Sequence, residues 1–284
     1  MSREQSGIRA QKDEDLGRRL LAQVRDRRPR VHCITNLAAG PDVANILLAA
    51  GAAPILAQAR EEAGEIAAAC SAAVLNFGTP DREKLEAIRA AGRRAKEAGV
   101  PVIADPVGAG ASPWRRERIL EILDEIRPDV IHCNFSEALV LLGNPREFHG
   151  VDSAQAGLEE RLAAAAGTAE KYGCAVLLSG REDVAAGEGM TRVIRGGSQA
   201  MGLITGTGCM LSALIGAFCG AQGRESRDLL AGATAASSFW KACGEAAWRQ
   251  TEEAGGGAGT FHVKLFDAAS QMREWREDIE DIGR

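Results

Sequence analysis

Aromatic residues are scarce in this sequence, with one Tyr, seven Phe and four Trp among 284 residues. An aromatic platform for stacking nucleic-acid bases is therefore not expected. Positive charge is not in excess either. The formal net charge is −5 at pH 7, which disfavours nucleic acid or an acidic membrane as the main partner. No long uninterrupted apolar run occurs. The most apolar stretches are broken by Asn45, Gly51 and Pro54, or by Gly216 and Gly220, and the N-terminus is charged, with no apolar signal core. No secretory or membrane-spanning segment is expected. The seven cysteines (Cys33, Cys70, Cys133, Cys174, Cys209, Cys219 and Cys243) are odd in number and widely spaced, with no C-x-x-C pair. That usage fits reduced thiols in a cytoplasmic protein, not a disulfide framework or a zinc finger.

Familiar catalytic signatures are missing too. There is no G-x-x-x-x-G-K-[ST], so a P-loop is excluded. The Gly206–Gly208 pair has Leu211 where a dinucleotide fingerprint needs its third glycine, and Gly108–Gly110 has Pro113 there. No G-x-S-x-G nucleophile elbow appears. His32-Cys33 and His132-Cys133 invite a zinc site, but neighbours on a strand point to opposite faces and cannot both reach one metal. His149 and His262 show no ligand spacing.

What is present is an ordinary globular composition, 45% hydrophobic and 26% charged. Short apolar runs alternate with helical periodicity. Strands are expected at Val31–Thr35, Pro54–Ala57, Ala73–Phe77, Val100–Ala104, Val130–Cys133, Ala175–Leu178 and Val193–Ile194. Helices are expected at Asp13–Arg27, Asp42–Ala50, Glu61–Cys70, Asp81–Ala98, Trp114–Ile126, through Glu137–Leu142, at Ser153–Tyr172, near Ser226–Trp248 and near Val263–Trp275. This pattern predicts βαβ units around a mainly parallel sheet covered on both faces. No repeat or long linker interrupts it, so residues 1–284 are expected to form one domain, with polar residues 1–12 frayed. The tract Gly255–Gly259 reads as a flexible loop.

The chain is organised around Ile204-Thr205-Gly206-Thr207-Gly208-Cys209, from which an apolar helix runs to about Ala221. A helix start presents unpaired N–H groups and a positive dipole end, which suit an anion. Cys209 falls in the first turn, where a thiol is expected to have a lowered pKa. A tight turn before a core helix, with Cys209 as a small buried hydrophobe, accounts for the same residues. In a parallel sheet, ligands sit beyond the carboxyl ends of the strands. The residues there are Asn36, Asn76 with Gly78 and Thr79, Asp105, Asn134 with Glu137, and Ser179-Gly180. Asp105 is held by a Pro-Val-Gly-Ala-Gly turn, and Glu137 lies one turn after Asn134. Both suit a hydrated Mg2+ beside phosphates; capping a turn and favouring a helix dipole are their ordinary structural uses.

Several motifs resemble those of the hydroxyethylthiazole kinase family. They are Val31-His32-Cys33-Ile34-Thr35-Asn36, Gly51-Ala52-Ala53-Pro54, Asn76-Phe77-Gly78-Thr79, Asp105-Pro106-Val107-Gly108-Ala109-Gly110-Ala111, Asn134-Phe135-Ser136-Glu137 and Gly206-Thr207-Gly208-Cys209, in order between about residues 20 and 270. The resemblance implies a ribokinase-like three-layer α/β fold without a lid domain, usually a homotrimer whose site a neighbouring subunit completes. It implies ATP- and Mg2+-dependent phosphorylation of the hydroxyl of 4-methyl-5-(2-hydroxyethyl)thiazole in thiamine salvage. By position it implies substrate contacts at Asn36, Leu56 and Gly206, and nucleotide contacts at His132, Asn134, Ser179, Thr207 and Gly208. Metal binding falls to Asp105 and Glu137, and the catalytic position to Cys209. The family's Ile-Arg-Gly-Asn segment reads Ile131-His132-Cys133-Asn134, so a shorter histidine stands where an arginine is expected to contact phosphates. A related kinase with a different acceptor alcohol and a ligand-binding protein with weak activity are the other readings. A dehydratase of the same fold leaves the N-terminal motif without a use.

Overall fold

Apolar strands of four to six residues can be buried on both faces only if helices cover both, and the computed structural model shows this arrangement over residues 16–144 and 156–282. The expected frayed end at 1–12, the first residues of the 13–27 helix and the start of the 153–172 helix lie outside the described residues. Six parallel strands form the centre: β1 (Arg30–Ile34), β2 (Ala53–Ile55), β3 (Ala72–Asn76), β4 (Val102–Asp105), β5 (Val130–Asn134) and β6 (Ala175–Ser179). Three antiparallel strands extend the sheet: β7 (Asp183–Gly187), β8 (Met190–Ile194) and β9 (Ile279–Ile282). The strand order is β2-β1-β3-β4-β5-β6-β7-β8-β9, and every described strand belongs to this one sheet. No separate lid sheet is therefore present among the described residues.

One face carries α1 (Leu16–Arg27), α2 (Gly40–Ala50), α8 (Thr207–Gly220), α9 (Leu229–Glu253) and α10 (Ala258–Gln271). The other carries α3 (Arg60–Ala69), α4 (Arg82–Glu97), α5 (Pro113–Ile126), α6 (Phe135–Leu141) and α7 (Leu158–Tyr172). Helix starts follow local chemistry. Asp81, Ser112, Asn134 and Asp228 each cap a helix through the side chain, and Pro113 opens α5.

Helix α8 is apolar all round and buried from Cys209 to Cys219, as a central helix must be. It lies against β1, β3 and β4. Gly216 permits that approach: a Cβ there would stand 2.6 Å from Val74 Cγ2 and 3.0 Å from Val31 Cγ1.

Two strands escape the periodicity argument. β7 is Asp-Val-Ala-Ala-Gly, nearly devoid of strand-forming side chains, yet buried throughout. β9 is a charged edge strand held by pairs such as Arg192 Nε to Asp281 Oδ1 at 2.9 Å. The Gly255–Gly259 loop is shorter than expected because α10 begins at Ala258. That helix ends at Gln271, and Trp275 instead packs on Phe239 and donates to Ser238 Oγ.

Gly216→Val is expected to lower stability by about 2–3 kcal/mol through overpacking against β1 and β3. Thermal unfolding followed by circular dichroism checks this; an unchanged midpoint contradicts the packing described.

Candidate active site

The register pairs Asn76 with Asp105 and Asn134 with Ser179 across adjacent strands. The polar residues expected at strand ends therefore line one edge of the sheet, and the first turn of α8 stands over them. Gly206 caps that helix in the left-handed region, at φ 84, and offers no side-chain cap. A Cβ there would fall 2.9 Å from Ala39 Cβ, so glycine is required on both counts. The first intrahelical bond runs from Met210 N to Gly206 O. The amides of Thr207, Gly208 and Cys209 precede it and face outward from the helix end. Gly208 is exposed, so this turn opens to solvent.

Cys209 Sγ accepts from Asn36 Nδ2 at 3.1 Å and from Asn76 Nδ2 at 3.3 Å. The orientation of both amides follows from the backbone. Asn36 Oδ1 accepts from Ala38 N, and Asn76 Oδ1 accepts from Gly78 N and from Asn36 Nδ2. Their oxygens are thus committed, and their nitrogens turn to the sulfur. Asn76 Nδ2 also donates to Asp105 Oδ2 at 2.6 Å, and Ser212 Oγ donates to the same oxygen at 2.7 Å. His132 Nδ1 lies 2.7 Å from Ser212 Oγ. Ser212 has one proton, which goes to Asp105 Oδ2, so in its bond with Ser212 it is His132 Nδ1 that donates. Its Nε2 is buried without a partner.

The thiol does not show the low pKa expected of a helix start. Burial, and then the charge of Asp105, push Cys209 up to about 12 against its two amide donors. The helix terminus does not make up for the lost water. Cys209 is consequently a neutral thiol at pH 7, suited to orienting a hydroxyl. Burial also raises the Asp105 pKa and lowers that of His132.

Glu137 lies on α6. Its Oε1 accepts from Gly108 N at 2.8 Å and its Oε2 from Asn134 N at 2.9 Å, while Asn134 Oδ1 accepts from Glu137 N. The pair is a capping box that also fixes the Asp105–Gly110 turn. Burial and the Asp105 charge push Glu137 up to about 7, against the two amides.

The edge thus gathers Asn36, Asp105, Gly206, Thr207, Gly208 and Cys209 closely, with Asn134 and Glu137 beside them. Ser179 sits one strand further out, its Oγ 3.4 Å from Cys133 O. Leu56 follows β2, and its Cδ2 lies 4.0 Å from where a Cβ on Gly40 would stand. His132 is only 2% exposed and lies beneath the first turn of α8. Two residues were not among those expected at the site, Ser212 and Lys84, and Asn76 was expected at the ligand-side edge without a role of its own. Asn76 stood at a strand end and Ser212 was a polar residue inside an apolar helix, so both left a visible signal. Lys84 left none.

A family model described as the hydroxyethylthiazole kinase family matches residues 21–274. The chain belongs to this family. It is 38% identical over 260 residues to a hydroxyethylthiazole kinase of Ruminiclostridium cellulolyticum, covering 90% of this chain and 92% of that one. It is 41% identical over 252 residues to one from Nitratidesulfovibrio vulgaris, covering 89% and 91%. A solved hydroxyethylthiazole kinase protein from Pyrococcus horikoshii superposes with a TM-score of 0.81 at 35% identity, covering 93% of this chain and 98% of that one. A pyridoxal kinase from Staphylococcus aureus in complex with ADP shares the fold, at a TM-score of 0.63 and 15% identity over 89% and 99% of the two chains. The expected ribokinase-like architecture of the kinase is thereby established.

Iodoacetamide labelling of Cys209, read by mass spectrometry, is expected to run roughly 100-fold or more below a free cysteine at pH 8 and to rise about tenfold per pH unit beyond pH 9. A labelling rate that levels off near pH 9 contradicts the raised pKa.

Proposed function

We propose that this kinase transfers the γ-phosphoryl group of ATP to the hydroxyl of 4-methyl-5-(2-hydroxyethyl)thiazole, a step of thiamine salvage, at the threshold of α8. Phosphoryl transfer needs positioning and charge stabilisation more than covalent chemistry. The amides of Thr207, Gly208 and Cys209 face the migrating group. Cys209, gripped by Asn36 and Asn76, orients the attacking hydroxyl. Asn36, Leu56 and Gly206 contact the thiazole, and Asn134, Ser179, Thr207 and Gly208 contact the nucleotide. His132 acts through Ser212, holding the Asp105 carboxylate in one orientation.

Asp105 and Glu137 are the residues that would hold a hydrated Mg2+. Both are hard carboxylate donors. The hydrogen bonds to Asp105 fall on Oδ2, which leaves Oδ1, and each Glu137 oxygen keeps one lone pair beyond its amide. The ion, when bound, neutralises charge on the nucleotide phosphates.

Exposed apolar side chains adjoin the cleft. Leu37 follows Asn36 and is 87% exposed; Leu203 precedes Gly206 and is 57% exposed. Leu48 and Val263 are exposed on α2 and α10, which His262 Nε2 and Asp42 Oδ2 join at 2.9 Å. Apolar surface of this kind favours covering by further copies of the chain, in keeping with a homotrimer whose sites lie at subunit interfaces. No described helix is long and apolar enough to cross a membrane. The free thiols fit a cytoplasmic location.

The observation that carries this reading is the Cys209 thiol between two asparagine amides, one side chain from Asp105. ADP release is measured with Mg-ATP and a panel of primary alcohols. Thiazole-dependent release is expected, and Cys209→Ala is expected to lower kcat by about 100-fold while ATP affinity stays within about twofold. Release with another alcohol only, or an unchanged kcat in Cys209→Ala, overturns the assignment.

A further inference from the structure

Lys84 is 7% exposed, among the least accessible cations of the molecule. Its position follows from its neighbours in sequence. Asp81 caps α4 and accepts from Lys84 N at 2.7 Å, which places the residue in the first turn. The side chain then runs beneath the Gly78–Thr79 loop, and Nζ donates to Gly78 O. An ammonium carries three N–H donors. Gly78 O takes one, and among the described residues no carboxylate forms an ion pair with Lys84.

A buried cation with unused donors is costly to maintain unless an anion joins it. The glycine whose carbonyl receives Lys84 also connects this cation to the site through its own amide. Gly78 N donates to Asn76 Oδ1, and Asn76 Nδ2 donates to both Cys209 Sγ and Asp105 Oδ2. Lys84 is therefore linked through one residue, Gly78, and one side chain, Asn76, to the sulfur and the carboxylate. The charged or titratable groups that act on it are Cys209 from α8, Asp81 from the preceding loop, Asp105 from β4 and Arg115 from α5. Burial lowers its pKa to about 8, and the carboxylates of Asp81 and Asp105 hold it against a further fall. It is still mostly charged at neutral pH. His132, by contrast, is spent on Ser212 beneath α8 and is kept neutral by burial.

We infer that the Lys84 ammonium supplies the positive charge facing the phosphoryl group as it passes from nucleotide to alcohol, opposite the amides of Gly206–Cys209. This role rests on the ATP-dependent reaction proposed above. The group's negative charge would meet helix amides on one side and the ammonium on the other, with Asn76 holding both sides in register. A lysine that merely props the Gly78 loop would affect stability and substrate affinity; a lysine facing the phosphoryl group affects the rate of transfer.

Two readouts test the inference in the full-length protein. In steady-state assays with Mg-ATP and the thiazole alcohol, Lys84→Met is expected to lower kcat roughly 100-fold, with the thiazole KM within about threefold. Lys84→Arg is expected to recover part of that loss. In thermal unfolding, fluoroaluminate added to MgADP, a mimic of the phosphoryl group in flight, is expected to raise the wild-type midpoint beyond MgADP alone. Lys84→Met is expected to lose that increment and keep the MgADP shift. Should Lys84→Met fail to fold, Lys84→Gln takes its place. A kcat within threefold of wild type, or an equal fluoroaluminate increment in the variant, overturns the inference alone. A wild-type protein that MgADP does not protect overturns the nucleotide reading and the inference with it.

Discussion

Two asparagine side chains that meet at one sulfur hold this site together. Asn36 arrives from the end of β1 and Asn76 from the end of β3. Each spends its oxygen on a backbone amide nearby and its nitrogen on Cys209. The sulfur belongs to α8, so these contacts tie the central helix to the sheet edge at the point where its amides are unpaired. Asn76 extends the arrangement to Asp105 on β4, and Ser212 returns it to α8 one turn further on. A ring of hydrogen bonds thus closes through two strands and one helix.

The energetics of this ring explain its division of labour. Water is largely excluded, so the buried groups resist ionisation: Cys209 is pushed up to about 12 and Glu137 up to about 7. Fixed dipoles in such a setting act more strongly than they would in water. In the proposed reaction the helix amides, asparagine amides and Lys84 would need no rearrangement as charge develops on a phosphoryl group. A thiol that remains protonated is well matched to aligning an alcohol, and the chemistry then depends on placement.

The parallel half of the fold was legible because buried strands such as Ala72–Asn76 read as apolar runs between helical patterns. The strand-end rule places Asn36, Asp105 and Asn134 at the ligand side from sequence alone. β7 was hidden by its alanines and glycine, and β9 by its charges, since each gains strand geometry only from its neighbours in the sheet. The Cys209 pKa departs from the helix-start expectation for a related reason. A helix start is visible locally, whereas the Asp105 carboxylate and the wall that excludes water come from distant parts of the chain. Lys84 was the hardest to see. On an amphipathic helix a lysine in the first turn reads as a solvated residue, and only the fold of the Gly78 loop over it reveals its burial.

The central claim is that Asn76 and Cys209 act as one unit at the threshold of α8. A double-mutant cycle on kcat, combining Asn76→Ser with Cys209→Ala, tests it most directly. The account predicts a large loss in each single variant and little further loss in the double variant. Losses that multiply independently, or an Asn76→Ser enzyme within about twofold of wild type, would contradict it.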